Sequence, residues 1–253
     1  MIFDELVFFN LFMIFMLATG VIVFITLFYV TAGYGQHISE KYGPAINDKA
    51  GWLIMEVPTV IIYLILFVIG EYKTFMAILF LSFWLMHYGY RSFIYSFLIR
   101  GNKKMPLSMI LLGIIFNSAN AYLQGRWINS LSPGYETSWL LTPMFIIGVI
   151  LFFTGFLTHV TSDHKLRTLR KSGESGYKIP YGGLYRYISC PNYLGEIIEW
   201  IGWAIMTWSM PGFVFALWTF FTLFPRARSI HQWYLSKFED YPKDRKALIP
   251  FIY

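Results

Sequence analysis

The chain has 253 residues, of which 57% are hydrophobic, 21% aromatic and only 13% charged, with a net charge of +6. Soluble domains carry about 25% charged residues, so the composition excludes a water-covered globule and points to a membrane protein. The single cysteine, Cys190, excludes an intrachain disulfide and a paired-cysteine zinc site.

A membrane-crossing helix needs about 20 mostly apolar residues. Seven such runs follow in order: Leu6–Thr31, Trp52–Ile69, Thr74–Leu98, Leu107–Leu123, Ser138–Leu157, Tyr193–Trp208 and Pro211–Phe224. The expected class is therefore all-α, a polytopic membrane protein of seven transmembrane helices. The first run follows acidic residues and no small-residue cleavage site, so it reads as a retained anchor. The last two runs meet at Met210, as a hairpin or as one kinked helix, and Pro211 favours the break. Nothing repeats at a fixed period.

Seven spans place the two ends on opposite sides. With the N-terminus outside, 17 of the 20 Lys and Arg residues fall on the inner face, with Lys73 and Arg126 outside and Arg91 within a span. This asymmetry sets the C-terminus in the cytoplasm, in a bacterial inner membrane or the endoplasmic reticulum. The two largest polar segments, Thr158–Asn192 and Pro225–Tyr253, fall on that inner face. Basic residues beside anionic lipid explain part of them, but not Asp163, Asn192, Glu196 and Glu199.

Ionisable groups inside a span are costly and are functional candidates. In the second run Glu56 is a carboxylate in hydrocarbon. Burial disfavours its charged form, and a protonated carboxyl can donate a hydrogen bond to a carbonyl oxygen. The competing reading is a structural partner of Arg91 or His87. In the third run Tyr88, Arg91 and Tyr95 are spaced i, i+3, i+7 and share a helical stripe. Glu196 and Glu199 lie one turn apart and could pair with arginines, take ribose hydroxyls or hold a metal. Five histidines without a His-x-x-x-His pair make metal a weak reading, and none is expected. No Gly-x-Gly-x-x-Gly unit or Walker loop is present, so a dinucleotide would have to be held by helices and loops, with Arg and Lys as phosphate donors. Cys190 has no base placed for it and is not expected to be a nucleophile.

Three stretches resemble the C-terminal part of the steroid 5α-reductase family: Leu169–Glu174, Tyr177–Leu184 and Asn192–Trp200. The ending Trp233–Lys243, running to Ala247–Phe251, is similar to the family's tail. The resemblance is dense from about Asp163 and thinner through the Glu56 and His87–Arg100 segments. It implies a single membrane domain over 1–253, with helices one to three in 1–105 on the substrate side and an NADPH-binding part in 106–253. It implies reduction of the double bond of a 3-oxo-4-ene steroid or a similar lipid enone, with Glu56 and Tyr88 as the catalytic pair on the ketone. Trp52 and Arg91 are the expected substrate contacts. The expected NADPH contacts are Tyr95, Arg100, His159, Asp163, Arg170, Lys178, Asn192, Glu196, Arg226 and Tyr234. Met55 stands where the family often has Gln, His159 where Asn is common and Lys178 where Arg is common. The expected partners are the lipid-like substrate and the bilayer, with no nucleic acid and no obligate protein partner.

Other readings remain open at this level. An isoprenylcysteine-type methyltransferase using S-adenosylmethionine shares the Pro191–Gly195 pattern. Enoyl-thioester and polyprenol reductases share the broad fold. A seven-helix transporter or receptor would lack the repeated halves common in transporters.

Overall fold

A computed structural model describes residues 4–31, 43–100, 104–169 and 176–253. Apolar composition without alternation makes helices, and among the described residues seven long helical runs form. They are α1 (Glu5–Tyr29), α2 (Asp48–Ile69), α3 (Phe75–Gly89), α4 (Leu107–Arg126), α5 (Pro143–Thr168), α6 (Pro191–Thr207) and α7 (Met210–Lys237). α3 carries on through a π-helical turn, Tyr90–Tyr95, and α4 through another, Trp127–Leu131. The segments Glu5–Tyr29, Asp48–Ile69, Leu107–Leu131 and Pro143–Thr168 are long and apolar enough to cross a membrane. This is an integral membrane protein built almost wholly of helices.

Several boundaries differ from the sequence expectation. α2 starts four residues before Trp52, because Asn47 caps it by accepting a hydrogen bond from the Lys49 amide at 3.0 Å. Ser138 falls in a short 3-10 turn, Thr137–Leu141, and α5 opens on Pro143 and runs on to Thr168. Hydropathy falls at Phe224, but α7 continues through Pro225 to Lys237. Its inner stripe persists beyond the proline as buried Ala227 and Tyr234. The junction of α6 and α7 is a break: Trp208 takes a left-handed conformation, and the Ser209 side chain caps α7 at the Gly212 amide. Trp200 meets Phe215 and Ile197 packs with Leu223, so the two helices run antiparallel as a hairpin.

The chain divides into two compact units. The first takes residues 1–13 and 33–142. In it α2 lies along α4, with Gly51, Gly113 and Gly125 admitting Ile110, Met55 and Leu66 from the opposite helix. A short antiparallel ribbon, Ala45–Asn47 with Lys104–Pro106, ties the helix starts together. At the other end Arg126 grips Glu5 with two hydrogen bonds, at 2.6 and 2.8 Å.

The second unit takes residues 14–32 and 143–253. Here α1 packs on α7: the Trp218 indole donates to the Met16 carbonyl at 2.6 Å, and Phe24 meets Phe220 and Phe221. α5 and α6 pack through glycines spaced seven apart on each helix, Gly148 and Gly155 against Gly195 and Gly202. Small residues let membrane helices approach closely, and here the two backbones touch. After α7 the chain folds back. Ile188 bridges Lys246, and the Ser189 and Cys190 amides donate to the Lys246 and Ala247 carbonyls. Cys190 is buried beneath this tail with Leu248 and Leu223.

Candidate active site

In the first unit the polar groups of α2, α3 and α4 converge. Glu56 is buried, and its Oε1 accepts from Arg91 Nη2 at 3.3 Å. Its Oε2 accepts from Asn117 Nδ2 at 3.2 Å, and the same amide donates to the Met55 carbonyl at 2.8 Å. The carboxyl is therefore not alone in hydrocarbon. A carboxyl group has about four lone-pair sites, so two donors leave it room for a further hydrogen bond.

Tyr88 is buried in a stack of rings. Tyr63 lies 4.8 Å from Trp84, and Trp84 lies 4.6 Å from Tyr88. The Tyr88 hydroxyl accepts from Asn120 Nδ2 at 3.3 Å, and Asn120 Oδ1 accepts from Gln124 Nε2 at 3.2 Å. Glu56 and Tyr88, from different helices, are thus both fastened to α4.

The expected stripe crosses the π-helical turn Tyr90–Tyr95, with Tyr88 joined to Asn120 and with Arg91 and Tyr95 set against Trp52. Such turns are uncommon and recur at functional sites. The Arg91 guanidinium sits 4.7 Å from the Trp52 ring and 5.4 Å from the Tyr95 ring, and those two rings meet edge to face at 5.4 Å. Arg91 is therefore held by a carboxylate and two aromatic faces at once.

In the second unit the close approach of α5 and α6 sets a different polar cluster. His159 is buried, with Asp163 at 3.2 Å, Glu199 at 3.6 Å and Glu196 at 3.9 Å. Asn192, at the start of α6, donates to Asp163 at 2.9 Å. Tyr185 reaches the Ser162 carbonyl, and burial pushes its phenol well above its ordinary range. Tyr234 on α7 stacks on Tyr241 at 5.1 Å and is likewise pushed up by burial. Ser189 joins the tail to α7: its Oγ lies 2.7 Å from both His231 Nδ1 and the Tyr241 hydroxyl.

Residues 103–253 match the family described as 3-oxo-5-alpha-steroid 4-dehydrogenase. The chain is 42% identical over 240 residues to 3-oxo-5-alpha-steroid 4-dehydrogenase 1 of Bos taurus, covering 93% of each protein. It is 41% identical to the Homo sapiens protein of the same name, covering 93% of this chain and 92% of that one. It is 43% identical to a steroid 5-alpha-reductase of Gossypium hirsutum, covering 90% and 91%. The chain belongs to the 3-oxo-5-alpha-steroid 4-dehydrogenase family.

For this family member the residues expected from sequence divide cleanly. Glu56, Arg91, Trp52 and Tyr95 meet in the first unit, so Tyr95 is packed with the expected substrate contacts. Tyr88 is joined to Asn120 of α4, three residues on from the Asn117 that holds Glu56. Arg100 is exposed at the end of the α3 run. His159, Asp163, Asn192 and Glu196 meet in the second unit. Arg226 and Tyr234 lie on α7, and Lys178 is exposed next to the buried Ile179. Arg170 lies outside the described residues.

Asn117, Asn120 and Gln124 were not anticipated. Their signal was present, since the positions i, i+3, i+7 place three amides on one face of an apolar helix. Being neutral, they do not stand out by the cost of burying a charge.

Proposed function

We propose that this protein is an NADPH-dependent reductase that saturates the 4,5 double bond of a 3-oxo-4-ene steroid. The observation that carries the reading is the identity of about two residues in five, across nearly the whole chain, with relatives named for that chemistry. The tethering of Glu56 and Tyr88 to one helix face supports it, because a ketone oxygen needs convergent donors.

The second unit has donors suited to NADPH. Asp163, Asn192 and Glu196 offer acceptors and an amide for ribose hydroxyls and a carboxamide. Lys178, Arg226 and Arg170 offer cations for phosphates. When bound, NADPH supplies the hydride to the β-carbon of the enone. Tyr88 and Glu56 polarise the ketone oxygen and stabilise the charge that develops there, and a proton delivered to the α-carbon completes the reduction. Trp52, Arg91 and Tyr95 form a wall that keeps the carboxyl in place and shields it from water. In this reading α1 to α7 all cross the bilayer, with the N-terminus outside and the C-terminus cytoplasmic. The first unit takes the steroid and the second the cofactor.

The test is purified protein in detergent with NADPH and testosterone or progesterone, followed by product analysis. The 5α-dihydro product is expected. Thermal stabilisation by S-adenosylmethionine, with none by NADPH and no reduced product, would defeat the proposal.

A further inference from the structure

We infer that Asn117, Asn120 and Gln124 form an amide ladder along α4 that positions the two ketone-binding residues, an inference that rests on the roles proposed for Glu56 and Tyr88. All three amides are buried in a segment long and apolar enough to cross the membrane. A buried amide without a partner costs several kcal/mol, so three on one stripe require a reason. Here each has a specific partner, and two of those partners are Glu56 and Tyr88.

The direction of the bonds gives the ladder its effect. An amide N–H only donates. In the Asn120 bond the Tyr88 oxygen is therefore the acceptor, and that bond does not use the phenol's own proton. Gln124 donates to Asn120 Oδ1 and so fixes which end of the Asn120 amide faces Tyr88. Successive donors polarise one another, so Gln124 and Asn120 together make the Tyr88 O–H a stronger donor toward a ketone. Asn117 acts similarly on Glu56. By holding both Oε2 and the Met55 carbonyl it locks the carboxyl to the α2 backbone. Gly113, one turn before Asn117, gives the close approach, since a Cβ there would strike the Met55 side chain. None of the three amides is assigned contact with the steroid; each acts through a neighbour.

The experiment is a double-mutant cycle on steroid reduction in detergent, with progesterone and NADPH. Asn120→Leu should lower kcat about tenfold, the loss expected for one hydrogen bond to a developing charge. KM for progesterone and Kd for NADPH should stay within about twofold, since ground-state binding is not what the ladder strengthens. On a Tyr88→Phe background Asn120→Leu should have no further effect, because the phenol it acts through is gone. Gln124→Met should give a smaller loss of kcat that also vanishes in Tyr88→Phe. Should Asn120→Leu fail to fold, Gln124→Met carries the same cycle. Multiplying losses, or a rise in KM with kcat intact, would overturn the ladder while leaving the reductase reading in place. Full activity of Tyr88→Phe itself would remove the phenol from the ketone site and overturn the ladder with it, while leaving the reductase reading in place.

Discussion

Gly155 of α5 lies against the backbone of Glu199 on α6, so close that a Cβ on the glycine would clash with the Glu199 nitrogen. The reciprocal contact, Gly195 against the His159 backbone, lies one turn along. These contacts carry His159 to within 3.6 Å of Glu199 and 3.9 Å of Glu196. Side chains are brought together because two backbones can touch. Gly155→Val should therefore force the helices apart. Overpacking costs about 1–3 kcal/mol, so the midpoint of thermal unfolding in detergent should drop by several degrees. NADPH stabilisation should be lost with it, whereas Gly89→Ala, at a helical position with open space around an added Cβ, should lose neither. An unchanged midpoint in Gly155→Val would contradict the packing account.

Glu56→Gln and Tyr88→Phe should each cut kcat at least about tenfold, the scale of one lost oxyanion donor. NADPH binding, read by thermal shift, should persist in both. Near-normal turnover in both would remove them from the ketone site.

The Arg91–Glu56 pair predicts a non-additive stability effect. Removing one partner of a buried ion pair costs about 3–5 kcal/mol, whereas replacing both is often close to neutral. Arg91 keeps some exposure, with a side-chain accessibility of 13%, so the lower end applies. Arg91→Met should lower the unfolding midpoint, and Arg91→Met with Glu56→Gln should recover most of it. A double variant less stable than Arg91→Met would argue that the cation, not the pairing, matters.

Asn192 and Asp163 should act on the cofactor and not on the steroid. Asn192→Ala removes the donor that holds Asp163 at 2.9 Å. It should raise Kd for NADPH about tenfold, the scale of a lost charge-assisted hydrogen bond. KM for progesterone at saturating NADPH should be unchanged. A selective rise in the steroid KM would move these residues to the other ligand.

His231 sets a pH dependence of stability. Burial lowers its imidazole below the ordinary range, and the Lys246 and Arg245 cations lower it further. The unfolded chain then binds the proton more readily than the folded one. The contribution of neutral His231 is complete above its unfolded pKa, about 6.5, and is lost as pH falls through the lowered folded value. The unfolding midpoint should decline from pH 7 to pH 5, and His231→Gln should flatten that decline. Equal slopes for the two proteins would remove His231 as the cause.

Much of the fold is legible in sequence because lipid leaves few alternatives. Every backbone polar group in hydrocarbon must be satisfied internally, so apolar length alone locates α1, α2 and α4. The antiparallel turn at Ser209 follows from Pro211 and a capping serine. The continuation of α7 past Pro225 is hidden, because the helix leaves the apolar pattern without ceasing to be helical. Its buried Ala227 and Tyr234 face the tail, a partner that hydropathy does not reveal. The π-helical turn after Tyr88 is hidden as well, since nothing in Tyr-Arg-Ser-Phe-Ile-Tyr breaks an α-helix. The amides of α4 are hidden for another reason: they are neutral, and their importance comes from what α2 and α3 place opposite them.

Cys190 offers a practical opening. Burial seals the sulfur beneath the C-terminal tail and pushes its thiol well above the usual range, so at neutral pH maleimides have little thiolate to attack. A cysteine engineered at an exposed position would then be the one reactive handle on the native protein, with no background substitution required. Impermeant reagents applied to sealed vesicles could read, residue by residue, which loops face which compartment.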